Sequence, residues 1–346
     1  MSDALDLFSQ QEANRRRSRW LVIGFVLFFA WLGFGGDWIY YLYTVGAPPG
    51  AYHHVFPWIG FILTTLGALL AVSAWRSGPQ KILWATAARE IVEPATPDEM
   101  LLVNVVEEMA IAAALPRPRI WVVDDPDPNA FATGHDERSA NLAVTAGLLK
   151  ICSRDELQAV VAHELGHVKN LDVRLMTLLA ALVGAVALLH DGASRMMGSG
   201  VRLGGGSSSR GRRDGKDGPG AVVAILFVFW LLSWLLAPIV TRLLALGVSR
   251  RREFLADAMS AQYTRNPMAL ATALQKIDGA AEPTRSIKSG TAHLCISDPT
   301  GGSRLRSGEG WLADVLGTHP PMALRVARLQ AMAYQEQHRP GTVAAS

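Results

Sequence analysis

Hydrophobic positions along this 346-residue chain gather into four blocks instead of spreading evenly. The first runs from Trp20 to about Gly36, with Trp38, Tyr40, Tyr41 and Tyr43 after it, and the second runs from Val55 to Trp75. Each is long enough to cross a bilayer as a helix, and the aromatic residues at their ends suit the membrane–water interface. The third block, Leu175 to Leu189, is short for a span, while the fourth, Ala221 to Val240, has full length. The third therefore reads either as a span or as a buried or re-entrant helix. Arg15, Arg16, Arg17 and Arg19 directly precede the first block, whereas residues 37–54 hold no Lys or Arg. That asymmetry predicts a cytoplasmic tail and an outside loop. No small-residue cleavage site follows the first block, so an anchor is expected in place of a cleaved signal peptide.

The stretch 76–172 is polar and carries shorter periods. Thr96, Pro97, Asp98 and Glu99 open a helix, in which Leu101, Leu102, Val105, Met109 and Ala112 recur at helical spacing until Pro116. Ile120–Val123 and Leu142–Thr145 read as two short strands of a small sheet. Ser153 with Glu156 forms a capping box for another helix, continued by Leu157, Val160 and Val161 and ended near Asn170 and Asp172. Residues 191–220 are rich in Gly and Ser and carry Arg195, Arg202, Arg210, Arg212, Arg213 and Lys216, which predicts a flexible connector. Its charge opposes the positive-inside tendency if blocks three and four both span, and agrees with it if they only dip into the membrane.

Composition narrows the classes. Half of the residues are hydrophobic and only 18% are charged, apolar for a soluble enzyme of this length. A formal net charge of +3, without a basic stripe set with aromatics, excludes a nucleic-acid partner. The two cysteines, Cys152 and Cys295, have no CxxC spacing, which excludes a disulfide framework and a thiolate zinc site.

The candidate chemistry lies at residues 163–167, His-Glu-Leu-Gly-His. Two His at i and i+4 project from one helix face and can reach a single ion, and Glu164 between them can take a proton from water at the metal. The bland alternative, a polar helix face, sits poorly with apolar residues on both sides, because buried His and Glu are costly without a ligand. Catalytic zinc needs a third protein ligand. Glu253 and Asp257, at i and i+4 on a second helix, offer one carboxylate for the metal and one for the free ring nitrogen of a ligating His. His53, His54, His135, His190 and His338 show no ligand pattern.

Four runs occur here in a fixed order: Asn129-Ala130-Phe131-Ala132-Thr133-Gly134, the HELGH run, Ser249-Arg250-Arg251-Arg252-Glu253-Phe254-Leu255-Ala256-Asp257, and Thr318-His319-Pro320-Pro321. In that order the chain resembles the HtpX-type proteases, of the same superfamily as the CAAX prenyl endopeptidases, from about residue 80 to 330. Phe254 stands where the family usually has Tyr, and the Arg-rich tail and the Gly/Ser loop look like additions. The resemblance implies an α+β, mainly α fold: integral membrane helices plus a gluzincin-like metallopeptidase domain with a small β-sheet. The expected organisation is a basic tail over 1–19, a helical hairpin over 20–75, a first metallopeptidase part over 76–172, a second hydrophobic hairpin over 173–248, and a second metallopeptidase part over 249–346. It implies one Zn2+ per chain on His163, His167 and Glu253, with Glu164 as base, Asp257 behind a ligand, and His319 as an oxyanion donor. Asn129, Ala130, Phe131 and Ala132 are expected on an edge strand that pairs with extended substrate. The implied partners are polypeptides, damaged or misfolded membrane proteins among them, and the lipid bilayer. The implied location is the inner (plasma) membrane, multi-pass, with the catalytic domain facing the cytoplasm. The alternatives are a CAAX-type prenyl protease, and a non-catalytic scaffold that keeps the fold. Retention of both His, Glu164 and Glu253 speaks against the scaffold.

Overall fold

Both long apolar blocks fold as helices that outrun them: α1 spans Ser2–Thr44 and α2 spans Trp58–Ala85. The computed structural model describes residues 2–198, 228, 231, 250–280, 294–296 and 320–338. The fourth apolar block and the Gly/Ser connector beyond Gly198 lie outside them, apart from Val228 and Leu231. Two units emerge, one of Met1–Ser18, Ser77–Ala181 and Leu244–Ser346, the other of Arg19–Arg76 and Leu182–Leu243.

In the second unit, α1 and α2 pack as a hairpin. A side chain on Gly33 would meet the Gly60 Cα at 2.7 Å, and one on Gly67 would meet the Phe29 Cβ at 2.7 Å, so glycine lets the two backbones close up. Asp37 ties the turn. Its carboxylate accepts from the Ile59 and Gly60 N–H groups at 3.2 and 2.5 Å, capping α2 from across the hairpin, and sits 2.6 Å from His54 Nε2. Trp20, Leu27, Trp31, Phe61, Ile62 and Leu69 are exposed along these helices. Both helices have the length and hydropathy to cross a membrane, where lipid would cover such side chains.

The first unit is built on a four-stranded mixed sheet, in the order β1-β2-β4-β3. The strands are β1 (Arg89–Glu90), β2 (Arg119–Val123), β3 (Ala130–Thr133) and β4 (Asn141–Thr145). β2 and β4 run parallel, with Ile120 beside Leu142, and β3 runs antiparallel to β4, with Phe131 beside Ala143. Period-two alternation sends side chains to both faces. Ile120, Ala130, Ala132, Leu142 and Val144 enter the main core, while Val123, Phe131 and Ala143 enter a smaller core with Ile82, Leu83 and Ala180. That is why every residue of β3 and β4 is buried.

Helices line the main core. α3 (Pro97–Ala112) begins under a Thr96 cap, and α4 (Ala146–Ile151) follows β4 directly. α5 (Arg154–Lys169) starts with a complete capping box of Ser153 and Glu156 and ends at Asn170. α6 (Asp172–Gly198) contains the third apolar block. α7 (Arg250–Thr264), α8 (Pro267–Ala280) and α9 (Met322–Gln337) complete the described helices. The described residues are mainly α with one small sheet, as the sequence reading expected.

One contact decides how the site forms. Gly166, inside the HELGH run, faces Ala256 of α7, where an added Cβ would stand 3.3 Å from the Ala256 Cα. Ser260 of α7 also donates to the Ala159 carbonyl at 2.7 Å. The side chain missing at Gly166 thus sets the spacing between α5 and α7. A Gly166→Leu variant is expected to pry α7 away and cost about 3 kcal/mol of stability, read as a lower urea midpoint of the purified protein. An unchanged midpoint would mean that the helices do not depend on this contact.

Candidate metal and active site

α5 and α7 bring together residues far apart in the chain. His163 and His167 lie one turn apart on α5 with ring centroids 4.8 Å apart, and Glu253 approaches from the first turn of α7. One ligand atom from each of the three lies within 4.8 Å of the others. His163 Nε2 is 3.7 Å from Glu253 Oε2, and His167 Nε2 is 3.5 Å from Glu253 Oε1. These gaps are too long for hydrogen bonds. They suit donors around one tetrahedral ion: metal–ligand bonds of about 2.0–2.2 Å put neighbouring ligand atoms about 3.3–3.6 Å apart.

The far side of each ring is held by a carboxylate. His163 Nδ1 is 3.0 Å from Asp257 Oδ1, and His167 Nδ1 is 3.2 Å from Asp172 Oδ2. Each bond places the proton on Nδ1 and turns the Nε2 lone pair toward the cluster. Asp257 follows Glu253 by one helical turn, as the sequence suggested. Asp172 was read there only as a helix end. It opens α6 directly after Leu171, whose φ of 58° is left-handed. A buried β-carbon residue in that conformation is strained by about 1–2 kcal/mol, and the sharp turn is what returns Asp172 toward His167.

Charge balance explains the remaining partners. Arg325 of α9 is fully buried and forks onto Asp257, with Nε 2.9 Å from Oδ2 and NH2 2.6 Å from Oδ1. Its NH1 lies 3.3 Å from Glu253 Oε2 and donates to the Ile296 carbonyl at 3.2 Å. Its NH2 stands 3.4 Å from both ring nitrogens of His163, a position over the ring face. Arg252 NH1 is 3.3 Å from Asp172 Oδ1, and the Arg328 guanidinium stacks 3.8 Å over Phe254. Four carboxylates, of Glu164, Asp172, Glu253 and Asp257, thus face two buried guanidiniums, of Arg252 and Arg325. Counted with both imidazoles neutral, the carboxylates exceed the guanidiniums by two, a surplus that a divalent cation would match and that raised His167 and Glu164 reduce in its place.

The same imbalance appears in the titrating groups. Burial pulls the His167 imidazole down, but the Asp172 hydrogen bond and the charges of Glu253 and Glu164 push it up to about 9. Burial pushes Glu164 up to about 7, with Glu253 adding to it and His167, Arg325 and the Ala132 N–H opposing. Burial raises Asp257 too, yet the Arg325 charge and the His163 hydrogen bond hold it down at about 2.

Glu164 lies between the two His in the chain, nearly fully buried on the side of α5 that faces β3. β3 is the last strand of the sheet, though not bare along its length. Ile296 N–H donates to the Ala130 carbonyl at 3.0 Å, and Cys295 bridges to Phe131. The Asn129 backbone is tied to the end of β4: its N–H donates to Thr145 Oγ1 at 2.8 Å, and its carbonyl accepts from the Thr145 N–H at 3.0 Å. His319 lies outside the described residues. Sequence reasoning missed Arg325 as well as Asp172. An Arg one turn before Leu329 and two before Ala333, on the apolar face of α9, was the available signal.

Comparison with known proteins is specific. The model of peptidase family M48 matches residues 98–333. A protease HtpX homolog of Streptococcus gordonii is 35% identical over 326 residues, covering 94% of this chain and 100% of the relative. One of Streptococcus pneumoniae is 36% identical over 327 residues with the same coverage. The crystal structure of S. mikatae Ste24p aligns with a TM-score of 0.44 and 20% identity, over 90% of this chain and 66% of that one.

Removing the Arg325 charge leaves Asp257 and Glu253 buried against each other. Arg325→Met is therefore expected to destabilise the protein by about 3–5 kcal/mol, measured by urea unfolding. Wild-type stability in that variant would refute the charge balance described above.

Proposed function

The chain belongs to peptidase family M48, and on that premise we propose that this metalloprotease is a zinc-dependent endopeptidase acting from within a membrane on damaged or misfolded proteins, membrane proteins among them. The observation that carries the zinc reading is the convergence of two Nε2 atoms and the Glu253 carboxylate, with separations suited to one ion. His163, His167 and Glu253 would hold the zinc. When bound, it supplies Lewis acidity toward water and the scissile carbonyl.

The chain's own residues do the rest. Glu164 accepts a proton from the attacking water as its oxygen bonds to the carbonyl carbon. It then delivers a proton to the amide nitrogen as the C–N bond breaks, which balances the hydrolysis. Asp257 and Asp172 keep His163 and His167 in the Nδ1–H tautomer. Extended substrate would align on β3 at Ala132 and Thr133, beyond the part of the strand already engaged by residues 295–296. His319 remains the proposed oxyanion donor, two residues before the Pro321 cap of α9.

Glu164→Gln tests the base. It should keep one zinc per chain by metal analysis while proteolysis of an unfolded protein falls by about 10²–10⁴-fold. Near-normal turnover would remove Glu164 from the mechanism. A prenylated CAAX peptide run in parallel distinguishes substrate classes, since cleavage of that peptide alone would replace the quality-control reading.

The proposed placement is the plasma membrane, multi-pass, with the tail and residues 76–172 and 249–346 cytoplasmic and residues 37–54 outside; the four Arg before the first block motivate it. With Cys152 and Cys295 changed to Ser, an impermeant thiol reagent on intact cells should label a cysteine at exposed Tyr43 and spare one at exposed Val92. The reverse labelling pattern would overturn the orientation.

A further inference from the structure

The segment ahead of the first apolar block carries four Arg and has the composition of a solvated basic tail. In the structure, part of it is buried. Residues 9–18 belong to α1, and this stretch lies in the same unit as the metal cluster. Asn14 and Ser18 are almost completely buried. Asn14 Nδ2 donates to the Asn170 carbonyl at 3.0 Å and to Asp172 Oδ1 at 2.8 Å, which uses both of its amide protons. Gln11, one turn earlier, donates to the Lys169 carbonyl at 2.6 Å, and Ser18 bonds back to the Asn14 carbonyl at 2.8 Å.

Asp172 is the carboxylate behind His167. Its Oδ2 faces His167 Nδ1, and its Oδ1 is shared between Asn14 and Arg252. The Asn14 contact is the shorter of those two, 2.8 against 3.3 Å. Leu171 is in the left-handed conformation next to it, so the backbone that aims Asp172 is strained and needs outside support. Asn14 supplies it twice, once on the Asp172 side chain and once on the carbonyl of Asn170.

We infer that Asn14 is a positioning residue of the metal centre: through Asp172 it fixes the orientation of His167, so that the segment before the first membrane helix is a working part of the peptidase. The inference rests on the proposed role of His167 as a zinc ligand. It gives α1 two functions, spanning the membrane with its apolar part and bracing a ligand with its polar start. Gln11 serves as the internal control, because it holds the same segment without touching Asp172.

The test uses the full chain in detergent, loaded with zinc, and follows zinc release to a chelator. Asn14→Leu should release zinc about ten-fold faster, the lower end of what loss of an outer-sphere partner costs. Asn14→Asp keeps the size of the side chain but sets a second carboxylate against Asp172, and should release zinc faster still. Gln11→Leu should stay within about two-fold of wild type. The cobalt(II)-loaded protein gives a second readout: its visible bands should shift in Asn14→Leu and not in Gln11→Leu. Wild-type release in both Asn14 variants would overturn the inference, as would equal acceleration in Gln11→Leu, which would show only that the helix must dock. His167→Ala separates the premise. If that variant keeps its zinc, the ligand assignment fails; if it loses zinc while both Asn14 variants behave as wild type, the ligand stands and the role of Asn14 falls.

Discussion

Burying four carboxylates beside two imidazoles is the constraint around which the catalytic unit is organised. Carboxylates removed from water are tolerated only when each meets a cation or a hydrogen-bond donor. Here Arg325 answers Asp257 and Glu253, while Arg252 and Asn14 answer Asp172. The surplus of carboxylates over guanidiniums is what raised His167 and Glu164 answer here, and what a divalent cation would answer in their place. A helix from each end of the unit is recruited for this purpose, so the stability of the unit and the shape of the site rest on the same contacts.

Backbone geometry makes that convergence possible. Gly166 has no side chain to hold α5 away from α7, and the two helices meet where Glu253 can face both Nε2 atoms. Leu171 takes a left-handed conformation that lets α6 begin one residue later, with Asp172 turned toward His167. On the other side of the site, β3 packs against α5, the helix that carries the proposed base Glu164.

The hairpin of α1 and α2 solves a different problem with similar means. Glycines at 33, 60 and 67 bring its helices together, and Asp37 caps α2 from the opposite helix while pairing with His54. Apolar side chains face outward along it, as expected where lipid is the solvent. A buried Asp–His pair at the turn is consistent with this reading, because an unpaired Asp there would be expensive to hold.

The sequence by itself determined whatever follows from short-range pattern. Block length marked α1 and α2, the Ser153 and Glu156 box marked the start of α5, and the i, i+4 spacing of His163 and His167 implied a metal on one helix face. Glu253 and Asp257 were legible for the same reason, being one turn apart on a single helix. Tertiary structure alone decided which distant groups complete the site. Asn14 and Asp172 are 158 positions apart and Arg325 and His163 are 162 apart, and each of the partners outside α5 looks like an ordinary polar residue in its own segment. Asn14 sits in a basic tail, Asp172 at a helix end, and Arg325 in the first turn of a short, largely polar helix. Local pattern reports which side of an element is polar, but not whether that side meets water or another buried charge. Only the packing of α1, α5, α6, α7 and α9 removes these side chains from water, and burial is what turns them from surface residues into partners of the candidate metal cluster.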